Sequence, residues 1–184
     1  MTDDLPTRRS AIRILEQDRA RTIELLERLP RHAVTTPGLG GGEWSPKDLI
    51  GHLASWEEDA LDALHAWGSG ERPAIDELLF TVGTNRINRQ NVERKASWSV
   101  AKVRREADRM HAELVDALRD LTDARWRKPA TPRGRRPLGR RLGGILGGPA
   151  GLFRHDAAHH PSFAAFVEDR PWVTRSRRPA THTT

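Results

Sequence analysis

Apolar residues recur every three or four positions in four separate stretches of this 184-residue chain, and this spacing predicts amphipathic α-helices. The segment 74–94, between the second and third stretches, is polar and broken, and predicts a long crossover with short helical turns. No stretch shows the strict alternation of a half-buried strand. Because each helix must bury its apolar face against the others, the sequence predicts an all-α four-helix bundle over residues 1–169. The four predicted helices run approximately over residues 7–29, 45–67, 97–121 and 151–168.

The composition excludes several classes of protein. The chain contains neither cysteine nor tyrosine, so it has no disulfide, no thiolate zinc site and no cysteine or tyrosine nucleophile. Apolar residues make up 36% of the chain and charged residues 30%, which is typical of a globular protein rather than a membrane-spanning one. The acidic N-terminus lacks the apolar segment of a signal peptide. We therefore expect a cytoplasmic protein that does not associate with membranes.

The positive charge is concentrated in one segment. The net charge is +6, and residues 125–141 hold eight arginines and lysines but no acid. Prolines and glycines are frequent from there to residue 151, so we expect a solvated basic loop. Nucleic-acid binders usually present basic residues along a helix face or interleave them with aromatic residues, and we do not expect a nucleic-acid partner here. They are suited instead to attracting an anionic substrate or cofactor. Residues 170–184, rich in Arg, Pro and Thr, predict a flexible basic tail.

Three histidines lie on the apolar faces of the second and fourth predicted helices. His155 and His159 are four residues apart, so both imidazoles project from one side of their helix. His52 lies on the facing helix, between Leu49 and Trp56. Imidazoles from two facing helices can hold one divalent ion, and three protein ligands leave a coordination position open, as in catalytic zinc sites. The alternative is that each histidine is an ordinary hydrogen-bonded core residue.

Two carboxylates and one indole are candidates for roles around this site. Asp59 follows His52 by two helical turns, and Asp156 adjoins His155. Each is a candidate catalytic group that orients a histidine or moves a proton, the alternative being a solvated surface acid. Trp56, one turn beyond His52, is a candidate for binding a flat cofactor or ligand, although tryptophan also commonly fills a core.

Two motifs resemble those of a known superfamily. Residues 43–57 read EWSPKDLIGHLASWE and resemble the W-S/T-x-x-D-x-x-x-H-L signature on the second helix of the DinB/YfiT-like superfamily. Residues 154–161, RHDAAHHP, resemble the H-x-x-x-H motif on its fourth helix. Residues 85–118 are similar to its ClbS/DfsB-like branch. The resemblance covers approximately residues 7–169, nearly the whole predicted domain.

The resemblance implies a bundle in up-down-down-up order with a divalent metal (Zn, Ni, Fe or Mn) on His52, His155 and His159. It implies a metal-dependent hydrolase, or a transferase using a low-molecular-weight thiol such as mycothiol, that acts on a small electrophilic or xenobiotic molecule. Mycothiol-dependent maleylpyruvate isomerase belongs to this superfamily. The alternative is a ClbS-like self-resistance protein that sequesters a reactive natural product without metal chemistry. Bundles of this size often form homodimers, and we include this as an expectation.

Overall fold

The computed structural model describes residues 5–168, which form α-helices and short 3-10 turns and contain no strand. The prediction of an all-α fold is confirmed. The predicted basic tail, residues 170–184, lies outside the described residues. Within them, no helix is both long enough and apolar enough to cross a membrane. The helices are α1 Arg8–Glu27, α2 Pro46–Gly68, α3 Ala74–Thr81, α4 Thr84–Lys95, α5 Val100–Asp120, α6 Asp123–Arg127, α7 Leu138–Ile145 and α8 His155–Glu168.

The four long helices α1, α2, α5 and α8 form the bundle, and ion pairs show how three of them run. Arg28, which ends α1, contacts Glu168 at the end of α8 at 3.6 Å, so these two helices are parallel. Arg104 near the start of α5 contacts Glu27 at the end of α1 at 3.2 Å, so α1 and α5 are antiparallel.

The hydrophobic core has two halves, and their composition shows how α2 runs. One half contains Trp67 and Leu118, from the C-terminal parts of α2 and α5. The other contains Leu49 and Val103, from the N-terminal parts of the same helices. The two helices are therefore parallel, with α3 and α4 forming the long crossover between them. This is the expected up-down-down-up order.

The start of α2 follows the local sequence closely. The Ser45 hydroxyl accepts a hydrogen bond from the Asp48 backbone N–H at 3.3 Å, and the Ser45 backbone N–H donates to the Asp48 carboxylate at 2.9 Å. This reciprocal capping box satisfies two donors that the first helical turn leaves unpaired, and Pro46 occupies the first helical position. The cap sets the helical register that turns His52 toward the interior.

The structure corrects the prediction of a solvated loop in the basic segment. Most of α6 and the first half of α7 lie in residues 125–141, and Leu138 and Leu142 of α7 are completely buried. The glycines of α7 suggested a loop, but they allow close packing instead. A Cβ atom at Gly139 would lie 2.3 Å from a ring carbon of Trp126. The arginines of this segment are therefore carried on a packed scaffold.

Candidate metal centre

The three predicted histidines meet inside the bundle, between α2 and α8. Each offers one ring nitrogen, and these nitrogens lie within 4.8 Å of one another. The Nε2 atoms of His52 and His155 are 3.0 Å apart. His52 is buried, whereas His155 and His159 are half-buried. In the described part of the chain this is the one group of three or more histidines and acids found close enough to hold a metal ion.

A strained turn immediately before α8 sets the position of the histidine pair. Phe153 has a φ of 62°, a left-handed conformation that is uncommon for residues other than glycine. Its ring is completely buried and stacks on Trp126 at 5.5 Å, while its backbone N–H donates to the Gly143 carbonyl. The His155 backbone N–H then donates to the Leu146 carbonyl at 3.1 Å. As a result α8 begins at His155, slightly later than the sequence predicts.

The electrostatics of the site keep the three imidazoles neutral. Burial lowers the pKa of His52 well below its ordinary value, and the neighbouring His155 and His159 lower it further. Burial also lowers the pKa of His155 to about 4 and shifts the pKa of His159 downward. Neutral imidazole is the form that binds metal ions. At neutral pH the three imidazoles therefore carry no extra proton that an arriving cation must displace.

The donor set fits a first-row divalent ion. Two nitrogen ligands on a tetrahedral ion with bonds of 2.0–2.1 Å lie about 3.3 Å apart, close to the 3.0 Å between His52 and His155. The other ring nitrogen of His52, Nδ1, is buried without a hydrogen-bond partner among the described residues. Leaving such an atom unsatisfied costs about 1–3 kcal/mol. Imidazole nitrogens do not discriminate among zinc, nickel and iron.

A buried ionic network lies beside the histidines. The Arg19 guanidinium donates to the Asp156 carboxylate at 2.9 Å and forms an ion pair with Glu57 at 3.0 Å. The Thr22 hydroxyl donates to Asp156 at 2.8 Å, and Nδ1 of His111 lies 2.7 Å from Glu57. The network joins α1, α2, α5 and α8. It fixes the first turn of α8, which carries His155, against α1.

The predicted catalytic group Asp156 belongs to this network. Burial acts to raise its pKa, but the adjacent Arg19 guanidinium and the hydrogen bonds from Arg19 and Thr22 lower the pKa below its ordinary value. The carboxylate is thus held as an anion, and its hydrogen bonds go to Arg19 and Thr22. It adjoins His155 in sequence, and its negative charge acts to raise the pKa of that imidazole against the lowering by burial. A part in proton transfer stays a prediction.

The second predicted catalytic group is Asp59, a residue of α2 whose charged neighbours include residues of α4. It is half-buried, and burial raises its pKa to about 6, with further influence from Glu58, Arg94 and Lys95. A carboxyl group with such a pKa is suited to acid–base chemistry. These charged neighbours belong to α2 and α4, and the network around the histidines does not include Asp59. Its catalytic role likewise stays a prediction.

Two tryptophans form walls around the histidines. The Trp56 ring lies 5.9 Å from the His155 ring, and its indole N–H donates to the Asn88 side chain at 3.0 Å. Trp56 was predicted to bind a cofactor or ligand from its position one turn beyond His52, and that role stays a prediction. Trp44, which the sequence analysis did not assign to the site, lies closer still, with its ring 4.8 Å from His52.

Two cavities reach the histidines from different sides. One, of about 720 Å³, is bordered by His159, Trp44 and the polar face of α4. The other, of about 380 Å³, is bordered by His155, Trp56 and the glycine-rich end of α7. Asn88 borders both cavities. Volumes of this size suit small molecules, which can approach the imidazoles from either side.

Arg19 and Asn88 are site residues that sequence reasoning did not place, whereas helical spacing put Glu57 near the site. A signal for Arg19 exists, because it is a permanent cation within the apolar stripe of α1 and must find an acidic partner there. Glu57 is nearly fully buried on α2, which its polar type does not predict. No local signal identifies Asn88, which lies in the polar crossover helix α4.

Comparisons with known proteins agree with this architecture. A family model described as the DinB superfamily matches residues 14–160. A crystal structure of an uncharacterised protein from Escherichia coli UTI89 is similar in fold, with a TM-score of 0.73 over 90% of this chain and 95% of that chain. The two sequences are 13% identical, so this likeness concerns the fold alone. No curated protein matches the chain.

Proposed function

Because this chain belongs to the DinB superfamily and its three histidines converge in the interior, we propose that it is a metal-dependent enzyme acting on a small electrophilic molecule. The reaction is a hydrolysis or the transfer of a low-molecular-weight thiol such as mycothiol. The single observation that carries the proposal is the meeting of three neutral imidazoles within 4.8 Å, beside cavities open to a ligand.

The chemistry follows from the donor set. A divalent ion on three neutral ligands keeps its full charge, and can therefore polarise an electrophile or make a bound water or thiol acidic near neutral pH. His52, His155 and His159 would hold it. The chain contains no cysteine, so a thiol nucleophile must come from a cosubstrate.

Surrounding residues shape and order the site. The hydrogen bond to Asn88 holds Trp56 in place as a cavity wall, which suits the binding of a flat apolar group. Arg19 and Asp156 hold the start of α8 and thus the position of His155.

Metal analysis of the protein purified without a histidine tag tests the proposal. We expect approximately one equivalent of zinc, nickel, iron or manganese by plasma mass spectrometry, and its loss in a His155→Ala variant. His65→Ala is the matched control, because His65 is an exposed histidine on the same helix as His52. Circular dichroism verifies that both variants remain folded.

Activity assays then separate the two reaction types. Metal-dependent cleavage of an activated ester supports a hydrolase, and metal-dependent alkylation of an added thiol by an electrophilic haloarene supports a transferase. Equal metal content in the wild type and in His155→Ala contradicts the metal site. A stoichiometric complex with a reactive natural product in metal-free protein would instead favour the sequestering protein.

A further inference from the structure

A third pocket, lined by arginines, lies next to the cavity that is bordered by Trp56 and His155. We call that neighbouring cavity the histidine cavity. The third pocket has a volume of about 380 Å³ and is bordered by Arg135, Arg136, Arg140 and Arg141, all from the basic segment. Asp76 of α3 is the acidic residue in its lining. Because α7 is packed into the core, the last two of these arginines project from a fixed helix rather than from a mobile loop.

The charge of this pocket is not neutralised by its lining. Asp76 is already paired with Arg141, whose guanidinium also stacks on the Trp67 ring at 4.9 Å. Arg135 and Arg136 are exposed, and within residues 5–168 the structure records no ion pair for either. The sequence contains no acid from residue 124 to residue 155. The pocket thus offers the guanidinium groups of Arg135 and Arg136 to an anion, and guanidinium groups bind phosphate and carboxylate through paired hydrogen bonds.

The arginine pocket and the histidine cavity are adjacent. Leu79, Gly144 and Ile145 border both the arginine pocket and the cavity that contains Trp56 and His155. Two of these shared residues carry apolar side chains, and Gly144 carries none. A molecule with a charged group at one end and an apolar body can therefore occupy both spaces.

We infer that the arginine pocket binds the anionic group of a small molecule whose apolar end enters the histidine cavity. The anion is a phosphate, sulfate or carboxylate group, which share the acceptor geometry that guanidinium recognises. That the apolar end is the part of the molecule that reacts rests on the proposed function. The existence of the anion site does not rest on it. A small molecule is favoured over a nucleic acid because the arginines surround a confined pocket that leads to a second cavity.

Alkylphosphonates test the inference on metal-free protein kept in a chelator. Methylphosphonate and hexylphosphonate are titrated at constant ionic strength, and the backbone and tryptophan indole N–H signals are followed by NMR. We expect saturable shifts at Gly144 and Ile145 with both probes. Hexylphosphonate should bind roughly tenfold tighter or more, because its chain becomes buried in the cavity, and should also shift the Trp56 indole signal.

The double substitution Arg135→Gln/Arg136→Gln should weaken binding of both probes roughly tenfold, since it removes two charged donors. The control Arg104→Gln/Arg105→Gln removes the same charge at the opposite end of the bundle, where Arg104 contacts Glu27, and should change the affinity less than twofold. Neither pair of residues belongs to the histidine site or to the buried ionic network.

Three outcomes overturn the inference. The first is equal weakening by the two double substitutions, and the second is an affinity that does not depend on chain length. The third is the absence of phosphonate binding together with tight, steeply salt-dependent binding of a single-stranded oligonucleotide, which would make the segment a nucleic-acid surface. Because the titration uses metal-free protein, a failure of the metal site leaves its result unchanged, and the two proposals fail separately.

Discussion

Replacing Arg19 with methionine removes the cation that joins two buried carboxylates while keeping most of the side-chain stem. The side chains of Arg19, Asp156 and Glu57 are 7%, 11% and 4% exposed, so water cannot replace the lost partner. Removing one member of a buried ion pair costs about 3–5 kcal/mol, because the remaining charge stays buried. Two carboxylates lose their partner here, so we expect the upper part of that range.

The measurement is urea denaturation of metal-free protein, followed by circular dichroism. Arg109→Met is the matched control, because Arg109 also pairs with two acids, Glu106 and Glu113, but is 53% exposed on α5. Exposed pairs contribute about 0–1 kcal/mol each. We therefore expect a much smaller loss of unfolding free energy for the control.

A third variant keeps the test informative if Arg19→Met folds poorly. Combining it with Glu57→Gln and Asp156→Asn removes the stranded charges and should restore most of the lost stability. Adding only Glu57→Gln or only Asp156→Asn to Arg19→Met would show how much of the lost stability comes from each carboxylate.

The pH dependence provides a second check. In the wild type the pKa of Asp156 is lowered, so its stabilising contribution is present above the unfolded pKa and is lost as the pH falls through the folded pKa. Without Arg19, burial still acts to raise the pKa of Asp156, and of the main lowering influences only the Thr22 hydrogen bond and His155 remain, so the pKa rises. The stability difference between wild type and Arg19→Met should therefore shrink as the pH falls toward about 4. A loss no larger than that of Arg109→Met, or one independent of pH, would refute the reasoning.

Three further predictions concern single positions. Asp59→Asn should raise the unfolding free energy at pH 7.5 by about 1–2 kcal/mol after allowing for partial exposure, because burial raises the folded-state pKa of Asp59 to about 6. The gain, measured by urea denaturation, should shrink as the pH falls through about 6 and vanish below about pH 3, where the carboxyl group is protonated in both the folded and the unfolded state. Gly139→Ala should lower the melting temperature by overpacking against Trp126, with a cost of about 1–3 kcal/mol, whereas helix propensity alone predicts a rise. Ser45→Ala should cost about 0.5–2 kcal/mol in the same melting assay, through loss of the capping box with Asp48, and no change would argue against the cap.

Much of the fold and of the histidine cluster could be predicted because the signals are local. Helical periodicity identified the four long helices, and the capping residues of α2 fixed its start to the residue. The four-residue spacing of His155 and His159 places both rings on one side of α8 whatever the rest of the chain does. The apolar face of the second predicted helix already carried His52, and the resemblance to the superfamily added the order of the helices.

The basic segment shows where local signals mislead. Glycine and proline are typical of loops, and on that basis α7 was not predicted. Its glycines are present because Trp126 and Phe153 lie against the helix backbone, a contact between residues that only packing brings together. The same packing places arginines of this segment around a pocket that adjoins the histidine cavity.

Periodicity and capping act within a few residues, so the sequence by itself determined which segments are helical and which side chains share a face. The tertiary structure alone decided that Arg19 meets Asp156 across 137 positions of the chain, and that the cavities bordered by Trp56 and by the arginines adjoin. Such contacts depend on the offset of one helix against another, which arises from the packing of the whole core and has no signature in any short stretch of sequence.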